Sequence, residues 1–165
     1  MSQPESITDA FLPLVPDVPE ADIPMLVAML ERIAAGKYRG WAATSTDPVE
    51  RGGLIACETR EIEIAEFIES LYPDSTSIID SLNAKFPDLQ SRYDAVMEGR
   101  SRLEQFRIQS EGEQGGADFM EQFASANVGA VAARFKSLAA CEEANSKFLG
   151  AVLSEHERCK SLSME

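Results

Sequence analysis

Residues 54–67 read LIACETREIEIAEF and residues 138–149 read LAACEEANSKFL. Both open on Leu-x-Ala-Cys-Glu and both run on into helix-forming residues, so one helical pattern is written twice. Around the first copy, Asp47 is placed to cap a helix, Pro48 suits its first position and Glu50 follows three residues after the cap. A helix B is expected over about 48–72, ended by Pro73. Upstream, Leu26, Met29, Leu30 and Ile33 recur at helical spacing and continue into Tyr38 and Trp41, which gives a helix A over about 22–44.

The second copy has a similar setting. RLEQFRIQSEGEQGGADFMEQFASA (102–126) keeps helical spacing through Phe106, Met120 and Phe123 and makes a helix C. Gly112, Gly115 and Gly116 each cost roughly 1 kcal/mol relative to Ala in a helix, so a break there is one expectation. Ala-rich helix D follows over about 127–158. Between the pairs, residues 74–100 hold two short helical patterns split at Pro87 and read as a crossover. No stretch alternates with strand period, so the chain is expected to be all-α.

At an offset of 82 residues the halves align, pairing Leu26 with Ile108, Glu31 with Glu113, Tyr38 with Met120, Trp41 with Phe123 and Glu61 with Glu143. Helices A and B then recur as C and D: two helical hairpins joined by a long crossover. Glu61 lies on the stripe Cys57, Glu61, Ile64, Ile68, and Glu113 on the stripe Phe106, Glu113, Met120, Phe123. A carboxylate on an apolar stripe needs a partner, a metal ion or a raised pKa.

These features resemble the ferritin-like four-helix bundle, including its rubrerythrin-like branch, over about residues 22–157. The family pattern is Glu, Glu-x-x-His, Glu, Glu-x-x-His, with six inward ligands around two metal ions. The resemblance implies an antiparallel bundle, a metal set of Glu31, Glu61, Glu113 and Glu143, with Glu142 as rival for the last place, and convergence of these carboxylates inside the bundle. The histidine places fall on Ile64 and Ser146, so both imidazoles are missing, and the chain's single histidine, His156, sits further along helix D.

Two functional classes follow. One is a metal-free ferritin-like scaffold with a degenerate dimetal site, acting by binding a protein or a small apolar ligand and not by catalysis; the missing histidines favour it. The other is a metal-dependent carboxylate oxidoreductase or metal-binding protein. Without imidazole its site would be all-oxygen, suited to Mn, Mg or Ca more than to Fe. Against both stands the plain alternative that Glu31 and Glu113 are surface residues and that Glu61 pairs with a cation.

The remaining signals are structural or restrictive. His156 reads as solvent-facing near a helix end, and Cys57 and Cys141 as small core residues; nothing links either to a Cys/His nucleophile. GEQGG (112–116) lacks the spacing and the preceding strand of a phosphate loop. Gly36 and Gly40 read as sites of close helix approach, and Tyr38 and Trp41 as core aromatics.

Among 165 residues, 44% are hydrophobic and no apolar run approaches ~18 residues, so a single domain with a sizeable core is expected and a membrane span is not. The net charge of −13 disfavours nucleic acid and anionic lipid as partners. MSQPESITDA lacks the pattern of a secretory signal, and the three cysteines form no CxxC pair, which suggests a reducing, cytoplasmic setting. The expected organisation is a proline-rich arm (1–21) packed over the domain or a partner subunit, a bundle (22–158) and a short tail (159–165). Because such bundles commonly pair through their first two helices, the chain is expected to be a homodimer. Sedimentation at micromolar concentration should give about twice the chain mass of 18.0 kDa; a monomer would overturn the expectation.

Overall fold

The computed structural model describes residues 5–162, and among these seven α-helices and no strand are formed. They are α1 (Ile7–Phe11), α2 (Ile23–Thr44), α3 (Pro48–Ser70), α4 (Ser75–Lys85), α5 (Leu89–Met97), α6 (Arg102–Ala126) and α7 (Gly129–Leu162). The described chain divides into two compact units, residues 9–96 and residues 5–8 with 97–162.

The first unit is built on the α2/α3 hairpin. Arg32 holds Glu69 through two N–O contacts of 2.6 Å, whereas Arg39, two turns further along α2, reaches back to Glu58 at 2.6 Å. The later the residue on α2, the earlier its partner on α3, so the helices run antiparallel. The expected start signal of α3 forms as read: the Asp47 side chain accepts from the Val49 and Glu50 amides, and Pro48 opens the helix without needing a donor of its own. Leu54, Cys57, Ile64 and Ile68 of α3 are fully buried. Full burial of a Leu or Ile side chain is worth about 1.5–3 kcal/mol.

In α2 five consecutive residues, Met25–Met29, are buried. A single neighbour cannot cover a helix all round. α3 covers one side, and α4 with the 3-10 turn Glu20–Asp22 lies against others.

The proline-rich arm forms short helical turns. Residues 1–4 of it lie outside the described residues. Pro13 and Pro16 sit within a 3-10 turn, Leu12–Asp17, where a missing amide costs little. Phe11, Leu14 and Val18 are buried, and the Phe11 ring lies 5.8 Å from that of Tyr93. Lys85 donates to the Asp17 carbonyl, and the Tyr72 hydroxyl donates to the Ala21 carbonyl at 2.8 Å. Burial of its apolar residues thus fixes residues 9–21 of the arm within this unit.

The second unit is the α6/α7 hairpin with residues 5–8. α6 starts at a reciprocal capping box, Ser101 accepting from the Glu104 amide while the Glu104 carboxylate accepts from the Ser101 amide. Bonds from the Ser101 hydroxyl and amide hold Glu104 below the ordinary carboxylate range. α6, in which the glycines left a break open, is continuous. A Cβ at Gly112 would stand 2.6 Å from Ile7 Cδ1, so this glycine makes room for the N-terminal segment. Gly36 and Gly40, the expected sites of close approach, face open space on the exposed side of α2. α7 begins at Gly129, whose φ of +62° other residues rarely adopt, and runs to Leu162, past the expected end at 158.

The burial patterns of the hairpins correspond. Ile108, Gln109, Glu113, Ala117, Met120 and Ala124 are buried on α6, each 82 positions after buried Leu26, Val27, Glu31, Ala35, Tyr38 and Ala42 of α2. On the second helices the shift is 81: Phe135, Leu138, Glu142, Asn145, Ser146 and Leu149 follow Leu54, Cys57, Glu61, Ile64, Ala65 and Ile68. The lost residue is in the turn. Ser45–Asp47 is three residues long, and Asn127–Val128 is two.

Replacing Asp47 by Ala should lower the unfolding free energy by about 1 kcal/mol in a denaturant melt, and replacement by Ser should keep most of it.

Candidate functional site

Four carboxylates are carried inward by the hairpins. In the first unit, Glu31 on α2 is 8% exposed and Glu61 on α3 is 0% exposed. Carboxylate oxygens from the two lie within 4.8 Å of each other. Glu61 reaches this position because the stripe Cys57, Glu61, Ile64, Ile68 follows helical period, so burying its apolar members carries the acid in with them. Beside the pair, the corresponding seam positions are apolar, with Val27, Ala28, Ile64 and Ala65 all buried. Arg32, the next residue after Glu31, is directed to Glu69, and that hydrogen bond raises the guanidinium pKa further.

In the second unit, Glu113 on α6 is 2% exposed, and both of its oxygens accept amide donors. Gln109 Nε2 reaches Oε1 at 2.6 Å from one turn earlier on α6, and Asn145 Nδ2 reaches Oε2 at 3.2 Å from α7. Next to this group Ser110 and Ser146 exchange bonds across the helix pair. Ser110 Oγ donates to the Ser146 carbonyl at 3.2 Å, Ser146 Oγ donates to the Ser110 carbonyl at 3.0 Å, and Gln114 Nε2 donates to Ser146 Oγ at 3.3 Å. Pairings of Ser110 with Ser146 and of Glu113 with Asn145 show that α6 and α7 are also antiparallel.

The buried acid of α7 is Glu142, at 1% exposure, and not Glu143. Glu143 stands on the exposed face, where Lys147 one turn on pairs with it at 3.3 Å. A single offset of 82 leads to Glu143 because it carries the longer turn of the first hairpin into the second. The stripe on helix D would have found the right residue: Phe135, Leu138, Glu142 and Leu149 keep the helical period that selects Glu61, and Glu143 falls outside it. By the same correction the place three residues after the buried acid belongs to Asn145, not Ser146, while Ile64 holds it in the first hairpin.

Glu142 also explains a glycine. A Cβ at Gly116 would stand 2.5 Å from Glu142 Oε1 and 2.8 Å from its carboxyl carbon, so the bare backbone of α6 receives this acid. Gln109, Asn145, Ser110 and Ser146 were missed by sequence reasoning, although Gln109 and Asn145 sit on the same stripes as the acids they accompany.

Other candidate groups lie apart from these acids or bear no site. His156 is exposed on the last turns of α7, as expected. Cys57 is buried with Arg60 Nη1 3.9 Å from its sulfur, Cys141 is half-buried and Cys159 is exposed. Tyr38 and Trp41 are buried and meet edge to face at 5.4 Å, so both are core aromatics.

Comparison with known proteins finds no matching family model, no matching curated protein and no matching solved structure. Among the described residues, no helix is long and apolar enough to cross a membrane.

The two glycines one residue apart on α6 separate helix propensity from the space Glu142 needs. Gly115→Ala, where the new Cβ would be 3.6 Å from Thr8 Oγ1, should stabilise the protein by up to about 1 kcal/mol in denaturant melts. Gly116→Ala should fall short of that gain, because it drives the Glu142 carboxylate from its seat; equal gains at both positions would refute the assignment.

Proposed function

We propose that the chain is a ferritin-like four-helix bundle of two duplicated hairpins, whose dimetal site is degenerate and which acts by binding a protein or a small ligand and not by catalysis. The observation that carries this reading is the residue three places after each buried acid of the second helices. It is Ile64 in one hairpin and Asn145 in the other, where the family pattern has histidine. Ile64 has no donor atom, and the Asn145 amide is given to Glu113. Redox chemistry of the ferritin-like kind relies on imidazole ligands to tune iron, and neither hairpin supplies one. None of the three cysteines is in a disulfide, and a reducing, cytoplasmic setting goes with this reading.

A second reading has its own support. Glu31 and Glu61 bring carboxylate oxygens within 4.8 Å of one another at buried positions, a spacing that one hard divalent ion can bridge. In that case the protein binds Mn, Mg or Ca through oxygen donors, as a metal-binding member of the same superfamily.

Metal analysis of protein purified without chelator separates the two. The scaffold reading expects less than a tenth of an equivalent of any divalent ion and no rise in Tm on adding millimolar Mn2+, Mg2+ or Ca2+. Near-stoichiometric metal, or a rise in Tm that Glu61→Gln abolishes, would reject it in favour of the second reading, since an ion bound to the native state stabilises that state.

A further inference from the structure

The two hairpins use corresponding positions for opposite chemistry. Around Glu31 and Glu61 the seam residues are Val27, Ala28, Ile64 and Ala65; around Glu113 the residues at the matching places are Gln109, Ser110, Asn145 and Ser146. Four apolar positions of one hairpin thus correspond to four hydrogen-bonding ones in the other.

We propose that Gln109 and Asn145 hold Glu113 as a permanent hydrogen-bond acceptor, so that this carboxylate clamps α6 to α7 and is not a metal ligand. Its metal clause rests on the reading of the chain as ferritin-like.

Three features support the clamp. Each Glu113 oxygen has its own amide donor, at 2.6 Å and 3.2 Å. One donor is on the acid's own helix and the other on its partner, so the carboxylate ties the helices together as well as being solvated by them. The Asn145 contact also has only two possible senses. With its NH2 toward Glu113 it is a hydrogen bond. Turned about, it sets an amide oxygen against a carboxylate oxygen at the same 3.2 Å, an arrangement that needs a cation or a proton between them. The hydrogen bond and an ion shared by Asn145 and Glu113 therefore exclude one another in the space between these two atoms. The neighbouring Ser110–Ser146 exchange fixes the same register, which keeps Asn145 opposite Glu113.

The test uses the full chain, stripped of metal with EDTA and then dialysed. Stabilities of Glu113→Gln, Asn145→Leu and the double variant form a cycle. The clamp expects each single change to lower the denaturation midpoint and the double change to lower it by clearly less than the sum; additive losses overturn it. Should a variant fail to fold, the wild-type side-chain amide protons of Gln109 and Asn145 give the answer by NMR. Slow exchange with solvent is expected, and exchange at the rate of a free amide overturns the proposal. If Mn2+ raises the Tm of the wild type, the rise should survive Glu113→Gln and disappear in Glu31→Gln or Glu61→Gln. Loss of the rise in Glu113→Gln overturns the metal clause, whereas a wild type that shows no rise rejects the metal-binding reading and leaves the cycle to decide the clamp.

Discussion

The length of the turn between two paired helices decides which of their residues can meet, and in each hairpin of this protein that register determines the fate of the acids. An antiparallel helix pair is fixed once its turn is fixed, because each residue added to the turn slides the partners by 1.5 Å and rotates one by about 100°. Three residues, Ser45–Asp47, join α2 to α3, and two, Asn127–Val128, join α6 to α7. The difference moves the buried face of α7 back by one residue relative to a strict copy of α3. Glu142 turns inward, Glu143 turns to solvent and Lys147, and Asn145 comes opposite Glu113.

Buried acids are costly, and the hairpins meet that cost in different ways. Taking a carboxylate out of water costs several kcal/mol unless its oxygens find donors or cations. In the second hairpin the donors are visible side chains, and the amides of Gln109 and Asn145 replace water at both oxygens of Glu113. In the first hairpin the matching positions are hydrocarbon, and Glu31 and Glu61 instead face one another within 4.8 Å. Two hairpins of one burial pattern thus carry unlike chemistry.

Glycine placement follows the same logic of close contact. Gly112 and Gly116 weaken α6 as isolated sequence, each by roughly 1 kcal/mol relative to Ala. Both nevertheless leave room for a side chain where they stand, one for Ile7 and the other for Glu142, and the helix they would interrupt is held by its capping box and by packing along α7. Gly36 and Gly40 look similar in sequence, yet they lie on an outer face and make no such contact. A glycine tells of backbone freedom; only its neighbours show whether that freedom is used.

The sequence by itself determined what depends on neighbours along the chain. Helical period, the Asp47-Pro48-Glu50 start, the stripe that carries Glu61 inward and the two separate helix pairs were legible because capping and amphipathic burial act over a few residues. The arm was legible only in part, since its packing was expected while its short helical turns were not. Tertiary structure alone decided the rest: which amide of α7 meets Glu113, and why a glycine-rich stretch stays helical. Each of these depends on contacts between residues roughly 30 to more than 100 positions apart in sequence, and such contacts are set by helix register and close packing, to which local pattern is blind.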